Sequence, residues 1–327
     1  MTERYPRIRR YASQQEGDRL VQREVVRLIL HLPFDHHDLS EGVNRALDVY
    51  LRGIGEGPEI LSEWRDVNGE YDEFPLNEDG WDFIRSTLSA PRGERFLDDI
   101  QDEQYVHRRV KKQFHRCVEL LGGASGISGY GFFYWARLPW RTPVKDTVSL
   151  VSFSWPTEYL EEHGPGRLRE LAVELASLLP FSSGHAGLAF YSPNPFVASM
   201  KGIHEQAFRH PGLDVAHGNT SLGPRVDGVH WLNFLGQPVL GELGGAAGLR
   251  TRLQSPGTTV QELEGERAVV TLGEWPEAGD LTQGQTLPAY RELARVLEPW
   301  QYQCPGYEAF HDSTHEETVR WWRRFLD

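Results

Sequence analysis

The spacing of apolar positions along the chain predicts most of its elements. Val43, Ala46, Leu47, Tyr50, Leu51 and Ile54 recur at the three- and four-residue steps that line one face of a helix, with Ser40 placed to cap it and Pro58 to end it. A second stripe, Leu168, Leu171, Ala172, Leu175, Leu178 and Leu179, follows Pro165 and stops at Pro180, which predicts a helix opening on the first proline. Runs dense in Val, Ile, Phe and Tyr read as strands: Leu20–Leu32 (one long strand or a tight hairpin), Tyr130–Arg137, Thr147–Trp155, Ala186–Tyr191 and His230–Phe234. Thr258–Leu263 and Ala268–Leu272 form a hairpin around Glu264-Gly265-Glu266. Weaker patterns predict helices at Glu78–Leu88, Gln101–Leu121, Val197–Phe208, Gly241–Leu253, Pro288–Leu297 and Thr318–Leu326.

The strands arrive as hairpins and one strand–helix–strand unit, without steady βαβ alternation. That pattern predicts an α+β fold, a mixed and largely antiparallel sheet packed with helices. One echo stands out. Val148–Ser154 runs into Trp155-Pro156 and a helix reading RELA (Arg169–Ala172). Ala268–Leu272 runs into Trp275-Pro276 and a helix again reading RELA (Arg291–Ala294). A strand–Trp-Pro–helix duplication and chance are both open at this point; duplication requires the two units to occupy equivalent places.

Charge changes the picture most. Lys and Arg total 34 against 47 Asp and Glu, a net of −13, and a phosphate backbone repels such a surface. The imbalance is local: Glu59 to Glu103 holds fourteen acids and four arginines, a net of −10, and His107–Arg116 behind it is basic. Trp64, Tyr71, Phe74, Trp81, Phe83 and Phe96 interleave the acids, which a merely solvating stretch lacks. The segment reads as a docking face for a basic protein, with a solvated face as the alternative. The candidate partner-binding residues are Glu63, Trp64, Asp66, Glu70, Asp72, Glu73, Glu78, Asp79, Trp81 and Asp82.

The search for chemistry returns no catalytic signature. Asp35-His36-His37-Asp38 reads as a polar turn before Ser40, since adjacent side chains point apart. His311 and His315 sit four apart, but Ser313 with Glu316 forms a capping box that leaves His311 ahead of the helix. Gly241–Arg250 lacks the Gly-Lys-Ser/Thr ending of a phosphate loop, and no G-x-S-x-G elbow occurs. Cys117 and Cys304 are too few for a disulfide framework. No apolar run is long enough to span a membrane. The expectation is a cytoplasmic binding protein with no catalytic residues, no metal and no cofactor.

Trp155–Phe190 (WPTEYLEEHGPGRLRELAVELASLLPFSSGHAGLAF), Val229–Leu253 (VHWLNFLGQPVLGELGGAAGLRTRL), Gly257–Pro299 and the closing WWRRFLD resemble the TsiV-like family of type VI secretion immunity proteins, found in proteobacteria and myxobacteria. The similarity is continuous over Val148–Asp327 and looser before it, so the chain reads as a single immunity-family domain, 1–327. Residues 1–129 form its looser, acidic half and 130–327 carry the stronger resemblance. The resemblance implies a partner: a co-encoded nuclease effector of the VRR-Nuc kind, neutralised by covering its DNA-cleaving site. Such a nuclease needs a basic cleft, which the −10 segment suits. Nucleic acid and membrane are not expected partners. Two other readings stay open, an enzyme with a buried site of pKa-shifted acids in a large pocket and an assembly subunit with a self-complementary apolar patch.

Overall fold

The computed structural model describes residues 5–14, 17–57, 59–65, 73–89, 115–123, 127–138, 144–191, 201–215, 218–303 and 314–327. Asp66, Glu70, Asp72, Tyr71, Phe96, Cys304, His311 and Ser313 lie outside them.

Eleven strands build one sheet: β1 (Arg10–Gln14), β2 (Gly17–Leu32), β3 (Leu61–Arg65), β4 (Glu73–Pro75), β5 (His115–Gly122), β6 (Gly131–Arg137), β7 (Ser149–Pro156), β8 (Ser183–Tyr191), β9 (Leu232–Leu235), β10 (Thr258–Leu263) and β11 (Arg267–Leu272). Their order is β10-β11-β9-β8-β2-β7-β6-β5-β3-β4, with β1 folded back as a hairpin on the start of β2. Every pairing between these strands is antiparallel. The fold is thus α+β, as the mixture of hairpins and amphipathic stripes predicts. Leu20–Leu32 is both of the expected things, a long strand and one arm of a hairpin.

Eight α-helices complete the described residues: α1 (His36–Ile54), α2 (Glu78–Leu88), α3 (Thr157–Ser177), α4 (Lys201–Arg209), α5 (Val239–Glu242), α6 (Gly245–Arg252), α7 (Pro288–Leu297) and α8 (His315–Trp322). The predicted stripes do the packing. Val43, Leu47 and Tyr50 of α1 and Leu168, Leu171 and Leu175 of α3 meet Val26, Leu28, Phe132, Val151, Phe153 and Trp155 on one face of the sheet. A second apolar cluster joins Leu293 and Leu297 of α7 and Leu249 of α6 to Ala268, Val270 and Leu272. Alternate residues of a strand face opposite sides, and Val269 belongs to the first cluster while its neighbours belong to the second. The two clusters therefore lie on opposite faces. The RELA echo does not hold as a repeated unit: α3 packs on one face and α7 on the other, and Trp155 is buried inside β7 whereas Trp275 lies beyond the end of β11 and is only partly buried.

Several boundaries differ from expectation: the helix expected from Pro165 begins at Thr157 and is kinked at Gly164, several strand ends move by two or three residues, and four differences have a clear local cause. Gln101–Leu121 was expected as a helix, but residues 115–122 are β5. There Val118 and Leu120 face the core against Phe132 and Tyr134 of β6, a pairing that outweighs local helix preference. Gly241–Leu253 is split into α5 and α6 by Gly244 and Gly245, both at positive φ (83° and 69°). α1 starts a turn early, at His36, so Ser40 lies buried inside the helix. α8 is capped by Thr314 with Glu317, one residue on from Ser313 and Glu316, and His315 is its first residue.

Candidate functional site

The outermost strands β3 and β4, with α2, carry the described part of the acidic segment. Arg65 anchors the group from inside. It is buried and bonds Glu73 across the β3–β4 pair at 2.7 Å and Glu119 of β5 at 3.2 Å. Burial raises the pKa of Glu119 and Arg65 works against that rise; burial also works to lower Arg65, but the two carboxylates outweigh it and raise its pKa. Glu73 is thus tied into the scaffold.

Around this pair the strands display an aromatic stack. The Trp64 ring lies between Phe74, with centroids 4.6 Å apart, and Phe83, at 4.5 Å, both near parallel. Phe74 is 39% and Phe83 48% exposed, which is unusual for rings of this size. Gly80 permits the arrangement. A Cβ there would sit 2.8 Å from the Pro75 carbonyl and 3.2 Å from the Trp64 indole nitrogen, so any larger residue would push α2 off the strands. Asn77 caps α2 by accepting from the Gly80 amide, and Glu78 and Asp79 fall in its first turn, where the helix dipole favours anions. Glu78, Asp79 and Asp82 are exposed and pair with no cation among the described residues.

The candidate residues therefore divide. Glu63, Trp64, Glu73, Glu78, Asp79, Trp81 and Asp82 come together on β3, β4 and α2. Trp81 is half-buried, packed on the main core with Arg85 5.8 Å from its ring, so it holds the helix more than it presents a surface. Phe74 and Phe83, absent from the candidate set, are the most exposed rings of this edge among the described residues; the β3–β4 pairing sets Phe74 opposite Trp64, and the packing of α2 brings Phe83 to the same ring.

The opposite edge of the sheet, β10, has arginines laid on it. Arg250 of α6 donates from Nε and Nη2 to the Val260 carbonyl of β10, at 3.3 and 3.0 Å, and from Nη1 to Glu262 at 2.8 Å. Arg169 of α3 reaches Gln261 at 2.8 Å.

A second polar group lies buried within the sheet and no motif pointed to it. Arg27 of β2 bonds Asp214 at 3.0 Å, His185 of β8 lies 3.3 Å from the same carboxylate oxygen, and His230 stacks on His185. His31, Asp227 and Arg324 border them. Burial works to raise Asp214, but Arg27 and His185 outweigh it and hold the carboxyl well below its usual range. Burial, with Asp214 close by, pushes Asp227 well above that range. Burial lowers His31 to about 3 and His230 well below the ordinary imidazole value, so these rings are neutral.

The histidines that the sequence brought forward behave otherwise. Asp35 pairs with Arg137 at 2.9 Å, buried His36 meets the Tyr134 hydroxyl at 3.0 Å, and His37 is exposed. A cleft of about 520 Å³ runs between residues 5–10 and Arg209 and Asp280. Its Arg7, Arg9 and Arg209 are already engaged by Glu161, by Glu24 and Glu158, and by Asp280.

Residues 97–325 match the sequence profile of TsiV, described as type VI immunity for VRR-NUC. The chain belongs to the TsiV family. Among solved structures, the Pseudomonas aeruginosa T6SS protein PA0821 shares the TsiV chain's fold with a TM-score of 0.73, over 97% of this chain and 87% of that one, at 20% identity. The curated proteins contain no match to it. The family match begins at residue 97, beyond β3, β4 and α2, so the acidic aromatic edge lies outside the part this TsiV protein shares with the family profile. No described helix is long and apolar enough to cross a membrane.

Proposed function

We propose that this TsiV-family protein protects the cell that makes it by binding a co-encoded VRR-Nuc nuclease effector through the β3–β4–α2 edge and keeping DNA from the nuclease's cleaving site. The observation that carries this reading is the exposed Phe74–Trp64–Phe83 stack beside Glu78, Asp79 and Asp82, which pair with no cation among the described residues. Aromatic side chains of this kind supply most of the energy at protein interfaces. Unpaired acids steer a basic partner and are cheap to keep in water until it arrives. A nuclease cleft must itself attract phosphates, so an acidic surface competes for the same field. Placing the contact outside residues 97–325, the part matched by the family profile, is compatible with immunity that recognises one toxin and ignores its relatives.

The test is a titration of the purified co-encoded nuclease with this protein while DNA cleavage is followed. One equivalent should abolish cleavage, and the complex should no longer retain DNA. Unchanged cleavage in excess protein contradicts immunity of this kind. Inhibition by a ternary complex that still holds DNA contradicts occlusion.

A further inference from the structure

The surroundings of Phe83 select the kind of group that a partner can set on it. One face of the ring lies on the Trp64 indole, with 4.5 Å between centroids and 26° between planes, and Trp64 in turn lies on Phe74 at 4.6 Å. The stack holds the Phe83 ring in place before any partner arrives, yet the side chain is still 48% exposed. Asp79 stands four residues before it on α2, hence on the same helix face, and Asp82 is its neighbour in sequence. Both acids are exposed, with no cation beside them among the described residues.

Elsewhere the chain lays its own arginines over its rings. The guanidinium carbon of Arg320 is 4.2 Å from the Phe208 centroid, that of Arg267 is 4.8 Å from Phe181, and that of Arg324 is 3.9 Å from Trp321. The negative face of an aromatic ring attracts the cation in each case. Among the described residues no arginine is laid over Phe83 in this way. An apolar side chain set on that ring would strip water from Asp79 and Asp82 and return nothing for it. A cation is drawn by the ring and by the acids alike. Arginine suits the place better than lysine, because its planar guanidinium stacks flat and is more weakly hydrated than an ammonium.

Resting on the docking edge proposed above, we infer that Phe83 is the seat for one arginine of the nuclease. The guanidinium lies flat on the ring face turned away from Trp64, and the acids of α2 stand around it in water. An arginine held there is no longer available to a DNA phosphate.

The test measures the affinity of the purified co-encoded nuclease for variants at this one position. Phe83→Leu keeps an apolar side chain and removes the aromatic face; it should weaken binding about tenfold. Phe83→Trp offers a stronger aromatic face and should bind at least as tightly as the unaltered chain. The ring is half in water, so both changes should leave the melting midpoint nearly where it was. Arginines of the nuclease are then replaced by glutamine one at a time, against the unaltered chain and against Phe83→Leu. For one of them the loss should be at least about threefold smaller with Phe83→Leu, since both changes remove the same contact. Strictly additive losses for every arginine overturn the seat. So does Phe83→Leu binding as tightly as the unaltered chain while Phe83→Ser binds weakly; the ring is then an apolar anchor, and the docking edge stands without the seat. If Phe74→Ser with Phe83→Ser also binds unchanged, the docking edge itself falls and the seat falls with it.

Discussion

The sheet ends in two edges, and they are built to opposite purposes. An unpaired edge strand invites another chain to add to it, and proteins blunt that liability. At β10 the blunting is explicit: Arg250 occupies the Val260 carbonyl, pairs with Glu262, and Arg169 holds Gln261. At β4 the strand has only three residues, all exposed, and among the described residues nothing comparable covers the stack of Trp64, Phe74 and Phe83. Arg65 there is buried and bonds Glu73 and Glu119, and Arg85 pairs with Asp48 at the surface, so among the described residues Glu78, Asp79 and Asp82 have no cation beside them. One edge spends its cations on closure, and the other withholds them from its outer surface. That difference is the ground for proposing the β3–β4–α2 edge as a docking face, because solvation alone gives no reason to leave two large rings in water.

The largest effect is expected from removing the exposed rings. Phe74→Ser with Phe83→Ser should weaken binding to the nuclease by at least about thirtyfold, the cost of losing a hot-spot contact of roughly 2 kcal/mol. The fold should be little disturbed, since both rings are already substantially in water. Thr259→Lys on the exposed face of β10 should leave binding unchanged; loss of binding in both variants would break the contrast between the edges.

A smaller effect is expected from charge. Reversing Glu78, Asp79 and Asp82 together to lysine should slow association by about tenfold and flatten its salt dependence, with dissociation nearly unchanged. Glu73 is left out of that set because its bond to buried Arg65 makes its reversal a stability change as well. Placing cations in the first turn of α2 should itself cost roughly 0.3–1 kcal/mol each at the helix N-terminus, visible as a lower melting midpoint.

Much of this architecture was legible in one dimension, and the exceptions share a cause. The stripes Val43–Ile54 and Leu168–Leu175 and the Thr258–Leu272 hairpin declare themselves because their periodicity is local. β5 does not: its Val118 and Leu120 alternate for only a short stretch behind a basic run, and the partner strand β6 decides the matter. The same holds for the sites. The acids of the β3–β4–α2 edge are close in sequence and their charge imbalance shows without a fold. The Phe74–Trp64–Phe83 stack needs the β3–β4 pairing and the packing of α2 against it. His185 and Asp214, 29 residues apart, meet only through the bridge at Ala189. The one local signal for them was a single histidine in the otherwise apolar, fully packed strand Ser183–Tyr191.

Amide hydrogen exchange of the protein, free and bound to the co-encoded nuclease, tests the central claim most directly, since it reads both edges in one experiment. Complex formation should slow exchange over residues 61–65 and 73–89 and leave residues 258–263 unchanged. Protection confined to residues 258–263, or spread elsewhere with 61–65 and 73–89 unaffected, would contradict the assignment of the β3–β4–α2 edge as the docking face.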